Sequence, residues 1–414
     1  MLDFCAPEAP IFFAIQNEGE DWQRVTGLAS HTFAFEATPR VAIAMTFDRG
    51  SSVLTDVYYT TSEELLPLSG ISCTEVVGTK TVHGTVSNVP SGGRAVVSMS
   101  GAAAEVISPA TNFTLVGVAD SPQDVVAHRD GNALNIDVVP DRVIVRRAQN
   151  PIEGATLSDL NFGTQSSAAV ATNPLTIGGM SAGDDSFFDV IFGTALGTTH
   201  TLYQSPIFSG SSRVLYSIPS TLTQSGDLHE ILLNSDSPNA SAYRTVRHWY
   251  RNPATKNLSF GAALVAPSIS SVATSPYARM RALLPAQVDY SRFATAFFIQ
   301  DTRSMFVTVT AGHTEGTPGT WTLEVPDLTA AGIPSTAGLE PGQSTTTTVE
   351  AYDGALSSIF GGGLTDGAIM RFAGRSSITS TVQLRQTAVS RPGGPGGPGG
   401  PERAPISTRR GSTR

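Results

Sequence analysis

A short-period alternation of apolar and polar residues runs almost without interruption from residue 10 to about residue 385. It is broken mainly by Gly, Pro, Asn and Asp. Side chains that alternate with a period of two belong to pleated strands with one face turned inward, and turn residues at short intervals punctuate them. Residues 40–48 are a clear case: Val41, Ile43, Met45 and Phe47 share one face and Ala42, Ala44 and Thr46 the other. Residues 305–311 repeat it, with Met305, Val307, Val309 and Ala311 opposite Phe306, Thr308 and Thr310. The pattern predicts an all-β protein built as several tandem β-sandwich domains, Ig-like or prealbumin-like. One short helix is expected where Thr61 and Glu64 form a capping box before Leu65-Leu66, with Pro67 ending it.

Length and turn clusters divide the 414 residues into residues 1–78, 79–165, 166–283 and 284–390, the last two with no clear linker between them. A tail follows from Arg391. It carries Pro-Gly-Gly three times and ends in a basic stretch, a composition that reads as a disordered arm. In residues 391–414 five arginines stand against Glu402, so that segment is +4 and the remainder carries −13 of the net −9. An acidic body argues against nucleic acid and anionic membrane surfaces as partners, because both select a basic face. No run approaches the roughly 20 apolar residues of a membrane helix. The start Met1-Leu-Asp-Phe-Cys5 lacks the basic and apolar regions of a secretory leader. Even so, the Ser/Thr-rich composition, with Lys80 and Lys256 the only lysines, fits an exported protein of the cell envelope or extracellular space. Cys5 and Cys73 lie at the two ends of the first block and are a candidate disulfide.

The second block carries a resemblance. His83-Gly-Thr-Val, Phe113-Thr-Leu-Val-Gly-Val118, Asp120-Ser-Pro-Gln-Asp124 and Pro140-Asp-Arg-Val-Ile-Val-Arg146 occur in that order. In this it resembles the carboxypeptidase regulatory-like (prealbumin-like) module, over about a fifth of the chain. The resemblance implies a Greek-key sandwich serving as a non-catalytic accessory module in secreted bacterial proteins. The whole chain is similar to lipoprotein-like bacterial proteins that carry such a module, a family that supplies no activity.

Several patterns imitate catalytic motifs. His128-Arg129-Asp130 with Asn135 matches a kinase catalytic loop, but Asn161-Phe162-Gly163 has no metal-binding aspartate. Neither a glycine-rich phosphate cover nor a strand lysine paired to a helix glutamate precedes it. Gly179-Met-Ser181-Ala-Gly183 matches a nucleophile elbow, yet a strand pattern follows it where the elbow requires a helix. Thr310-Ala-Gly-His313 has no downstream serine segment to complete a protease triad. His229-Glu230 has Leu233 where a zincin places its second histidine. The remaining histidines (His31, His83, His200 and His248) show no ligand spacing, and His31 shares a face with Phe33 and Phe35.

No cofactor is expected. Oxygen-rich turns offer calcium three weak candidate clusters: Asp184 with Asp185, Asp120 with Asp124, and Asp137 with Asp141. One binding surface is expected on residues 243–251, where the period of two aligns Tyr243, Arg247, Trp249 and Arg251. An indole flanked by guanidinium groups can stack on a sugar ring or a partner's side chain. It can equally be covered by those arginines within its own fold. The sequence therefore supports a non-catalytic protein of adhesion, assembly or display, self-assembly included. The first alternative is a glycan-binding or accessory protein using the Trp249 face. The second is a secreted hydrolase without a recognisable motif.

Overall fold

A computed structural model describes residues 2–3, 10–27, 32–33, 35–65, 78–131, 139–354 and 365–381. Cys5, Cys73, His31, Asn135, Asp137 and the Gly/Pro/Arg-rich tail lie outside the described residues. The protein is all-β, and its described helix, Ser62–Leu65, is a single turn. The capping box forms as expected. The Glu64 backbone N donates to Thr61 Oγ1 (3.2 Å), and Glu64 Oε2 accepts from the Thr61 backbone N (3.1 Å). Among the described residues no helix is long and apolar enough to cross a membrane.

The organising element is one twelve-stranded sheet. In spatial order its strands are Thr199–Gln204, Asp185–Gly193, Leu228–Asp236, Ala242–Tyr250, Ile369–Thr381, Ser344–Asp353, Phe293–Ile299, Arg303–Thr310, Val53–Thr61, Arg40–Asp48, Phe12–Asn17 and Gln23–Arg24. Most neighbours are antiparallel, but Val53–Thr61 runs parallel to Arg303–Thr310, with Phe306 opposite Asp56. The sheet thus crosses the block boundaries drawn near residues 78 and 283, and Met1–Val382 close into one compact unit.

Two small sheets cover one face. Ser268–Ala273, Arg279–Pro285 and Thr320–Glu324 place Met280, Leu284, Trp321 and Leu323 against the alanines and small apolar residues of the large sheet's second half. Ala42, Ala44, Ala294, Ala296 and Ala351 leave room for those bulky partners, which is how two pleated surfaces reach close packing. Ser212–Ser217, Ala171–Gly178 and Lys256–Ser259 cover the first half around Phe188, Phe192, Ile231 and Leu233. The alternation read in residues 40–48 holds. Val41, Ile43, Met45 and Phe47 build a separate apolar cluster on the opposite face from Ala42 and Ala44.

Residues 79–170 form two further sheets facing each other. Thr79–Ser87 lies between Asn112–Ala119 and Leu160–Asn161. Across from it, Gln123–Asp130 lies between Pro140–Gln149 and Arg94–Met99, with Ala102–Ile107 and Ala168–Ala169 at the edges. Val82, Phe113 and Leu115 from one sheet meet Val97, Val125, Ala127 and Ile144 from the other. Gln123–Asp130 is buried on both sides. Val125 and Ala127 point into this sandwich, while Val126 packs in the core beneath the twelve-stranded sheet. The same alternation places Asp124, His128 and Asp130 on that outward face.

Candidate functional site

The strand Ala242–Tyr250 lies between Leu228–Asp236 and Ile369–Thr381. Its alternation splits as read from the sequence: Val246 and Tyr250 enter the core beneath the sheet, and Tyr243, Arg247 and Trp249 take the other face. That face is occupied. Trp249 is 3% exposed and packs with Phe293, Tyr352 and Met370. The Arg247 guanidinium lies 4.9 Å from its ring centroid and is held by Glu230 Oε1 through Nε at 2.5 Å. The Tyr243 hydroxyl donates to Glu350, which also accepts from the Tyr352 hydroxyl. Arg251 falls past the end of the strand, and its backbone N donates to Asp366 Oδ1 (2.8 Å). The fold brings three of the four residues together, but the indole has no open face for a sugar. The partners that close around it stand on the sheet's own strands: Met370 on Ile369–Thr381, Tyr352 on Ser344–Asp353 and Phe293 on Phe293–Ile299.

The Gln123–Asp130 strand carries a constellation that spacing along the sequence did not reveal. His128 Nδ1 lies 2.7 Å from His200 Nε2, and His200 Nδ1 lies 2.9 Å from Ser98 Oγ. On the far side, His128 Nε2 lies 3.5 Å from Asp130 Oδ1, and Arg94 Nε donates to Asp130 Oδ2 at 2.5 Å. With Asp130 ionised, the donors settle one way. Ser98 donates to His200, His200 to His128, and His128 toward Asp130. The ring centroids are 4.9 Å apart at 74°. Burial, and then the neighbouring His128, holds the His200 imidazole well below its ordinary range. A hydroxyl, imidazole and carboxylate in sequence are the parts of a nucleophilic relay. Ser98, His128, His200 and Asp130 are each at most 2% exposed, however, so a substrate has no route to the hydroxyl. The sequence signal was parity: in a strand buried on both faces, Asp124, Val126, His128 and Asp130 share one side.

Four of the six calcium candidates, Asp120, Asp124, Asp141 and Asp184, are engaged by cations. Arg147 bridges Asp124 (Nη1 to Oδ2, 2.8 Å) and Asp227 (Nη2 to Oδ2, 2.6 Å), both carboxylates being fully buried. Asp120 accepts from Lys80 Nζ (3.1 Å), Asp141 from Arg129, and Asp184 from Arg244 (2.8 Å). Asp185 faces Asp236 across the strand pair. Among the described residues no three His, Cys, Asp or Glu side chains group as metal ligands. His229 is a core residue: its Nε2 accepts from the Ile218 backbone N (2.9 Å), its ring stacks on Tyr250, and burial lowers it to about 4. Gly179–Gly183 is a turn leading into the strand Asp185–Gly193.

One polar cleft of about 290 Å³ opens beside the strand Phe12–Asn17, lined by Gln16, Asn17, Glu18, Arg40, Tyr59 and His313 among others. Arg40 pairs with Glu18 and with Glu315 (3.0 Å). The His313 and Tyr59 rings meet edge to face at 5.4 Å, and His313 Nδ1 lies 3.3 Å from the Thr60 carbonyl. Burial keeps His313 below its usual range, which favours the neutral ring. No family model matches this chain, and no curated protein is significantly similar to it.

Proposed function

We propose that this protein is a non-catalytic β-scaffold of the cell envelope or extracellular space, acting in adhesion, assembly or display. The observation that carries the reading is the twelve-stranded sheet itself. It gathers strands from residues 12–61, 185–250, 293–310 and 344–381 into one surface. Buried charges join the neighbouring block to the residues leading into it, as Arg147 of Pro140–Gln149 does between Asp124 and Asp227. The extracytoplasmic setting rests on composition: abundant Ser and Thr with two lysines. Light scattering and thermal melts across a wide concentration range test the assembly mode, which requires larger particles or a concentration-dependent melt. A panel of chromogenic ester, glycoside and peptide substrates tests the absence of chemistry. Turnover abolished by one substitution sinks the reading.

The cleft supports a second reading, a glycan-binding accessory role. Its volume is at the small end for ligand pockets. It combines planar donors and acceptors on Gln16, Asn17, Glu18 and Arg40 with the Tyr59 ring, a set suited to one sugar unit. Under this reading, Arg40→Ala abolishes sugar-induced chemical-shift changes while the melting temperature stays near wild type. Sugar binding unaffected by that change rejects the cleft as the site.

A further inference from the structure

We propose that the joint between the two-sheet block of residues 79–170 and the twelve-stranded sheet is acid-labile, with the His128–His200 imidazole pair as its trigger. The inference is independent of the adhesion or glycan readings. His128 belongs to the five-stranded sheet of the block, and His200 to Thr199–Gln204, the edge strand of the large sheet. The 2.7 Å contact between them is therefore a bond across the joint. It requires one ring nitrogen with a proton and one without. If both imidazoles are protonated, two N–H groups point at each other at that distance and two cations share a dry site. The contact then cannot persist.

The surroundings offer limited relief. From Arg94–Met99 the pair meets Ser98, and Arg94 acts only through Asp130. From its own strand His128 has Asp130, and Val143 of Pro140–Gln149 lies opposite it. Asp130 can offset one positive charge; Asp124, on the same face of the strand, is already held by Arg147. The joint's other fastenings are of different chemistry. Thr198 Oγ1 donates to the Asp124 carbonyl (2.7 Å), the Ser100 backbone N donates to Thr198 Oγ1 (3.0 Å), and Arg147 spans Asp124 and Asp227. The His128–His200 contact is thus the one fastening of these that imidazole protonation breaks.

The sign follows from linkage. A buried histidine held neutral resists a proton that the opened state accepts near pH 6.5, so opening becomes easier as pH falls below that value. Each proton gained on opening raises the opening constant about tenfold per pH unit in that window. Hydrogen exchange of the full chain, followed by mass spectrometry and corrected for the intrinsic rate at each pH, reads this directly. Peptides covering Gln123–Asp130 and Thr199–Gln204 should gain about tenfold in opening per pH unit below 6.5, while Thr320–Glu324 stays flat. His200→Gln should remove that gain at the joint. A wild-type profile at the joint that does not change with pH overturns the proposal without any variant. So does an unchanged gain in His200→Gln or, should that variant misfold, in His128→Gln.

Discussion

Two sets of buried carboxylates in this molecule are kept by opposite means. Asp124 and Asp227 share Arg147, and the remaining oxygen valences go to backbone donors: Ala148 N to Asp124 Oδ1, Ala195 N and Gln224 N to Asp227. On the far face of the twelve-stranded sheet, Glu350 accepts hydrogen bonds from the Tyr243 and Tyr352 hydroxyls and, among the described residues, pairs with no cation. Asp56, opposite Met45 and Phe306, has a buried Oδ1 without a partner among the described residues. Burial pushes Asp56 up to about 7, the charge on Arg49 opposing, and burial also raises Glu350 against the pull of the two tyrosines. A partner of opposite charge lets a carboxylate be buried ionised, whereas hydroxyl donors or none leave it poised to take up a proton.

The largest effect should come from breaking the first set. Arg147→Met leaves two fully buried carboxylates facing each other, and removing one partner of a buried ion pair costs about 3–5 kcal/mol. Urea unfolding near neutral pH should show that loss. Adding Asp124→Asn and Asp227→Asn should recover much of it, since the amide oxygens can keep the backbone bonds. A single variant as stable as wild type would mean that water or another donor reaches those carboxylates.

Next in size is Trp249→Ala. A stacking platform would lose its ligand and keep its stability. The packed indole described above should instead cost about 3 kcal/mol, as for other buried aromatic truncations. An unchanged melting temperature would restore the exposed-platform reading of Tyr243, Arg247 and Trp249.

How much of this was legible beforehand depends on the range over which each feature is specified. Strand type and face were readable, because alternation is local: Val41 to Phe47 and Met305 to Val309 lie on the faces that their spacing gave. The capping box at Thr61 and Glu64 was readable for the same reason. Strand partners were not. Nothing near Val53–Thr61 announces a parallel partner at Arg303–Thr310, and the domain boundaries drawn from turn clusters could not register a sheet that passes across them. The Tyr243, Arg247 and Trp249 row was legible as a row. Its burial was not, because a strand with aromatics on one side and Val246 and Tyr250 on the other reads the same whether that side is open or filled by side chains of neighbouring strands. The His128–His200 pair depends on a contact between strands of two different sheets, which no spacing rule encodes.

Asp56 gives a smaller and pH-dependent contrast. Its folded value of about 7 lies above the ordinary 3.8, so the fold prefers the neutral form. Stability from this group is full below pH 3.8 and is lost as pH rises toward and through 7, at no more than about 1.4 kcal/mol per pH unit. Asp56→Asn should therefore be more stable than wild type by about 2 kcal/mol at alkaline pH, the side chain's partial exposure discounted, and should match it under acid conditions. Equal stabilities at alkaline pH would show that Oδ1 finds water.

The finest test separates hydroxyl donors from a true counter-charge. Tyr352→Phe removes one of the two protons that Glu350 accepts, on Oε2, and leaves Tyr243 on Oε1. A hydrogen bond to an ionised group contributes about 1.5–3 kcal/mol, and the Phe293 and Phe372 stacking on the Tyr352 ring survives the change. The loss should sit at the lower end, about 1.5 kcal/mol. It should also grow with pH, because the missing hydroxyl stabilised the charged carboxylate and gave less to the neutral acid. Denaturation at two pH values on either side of neutrality decides it. A loss that is the same at both would mean that Glu350 keeps one protonation state throughout and is not poised to change it as Asp56 is.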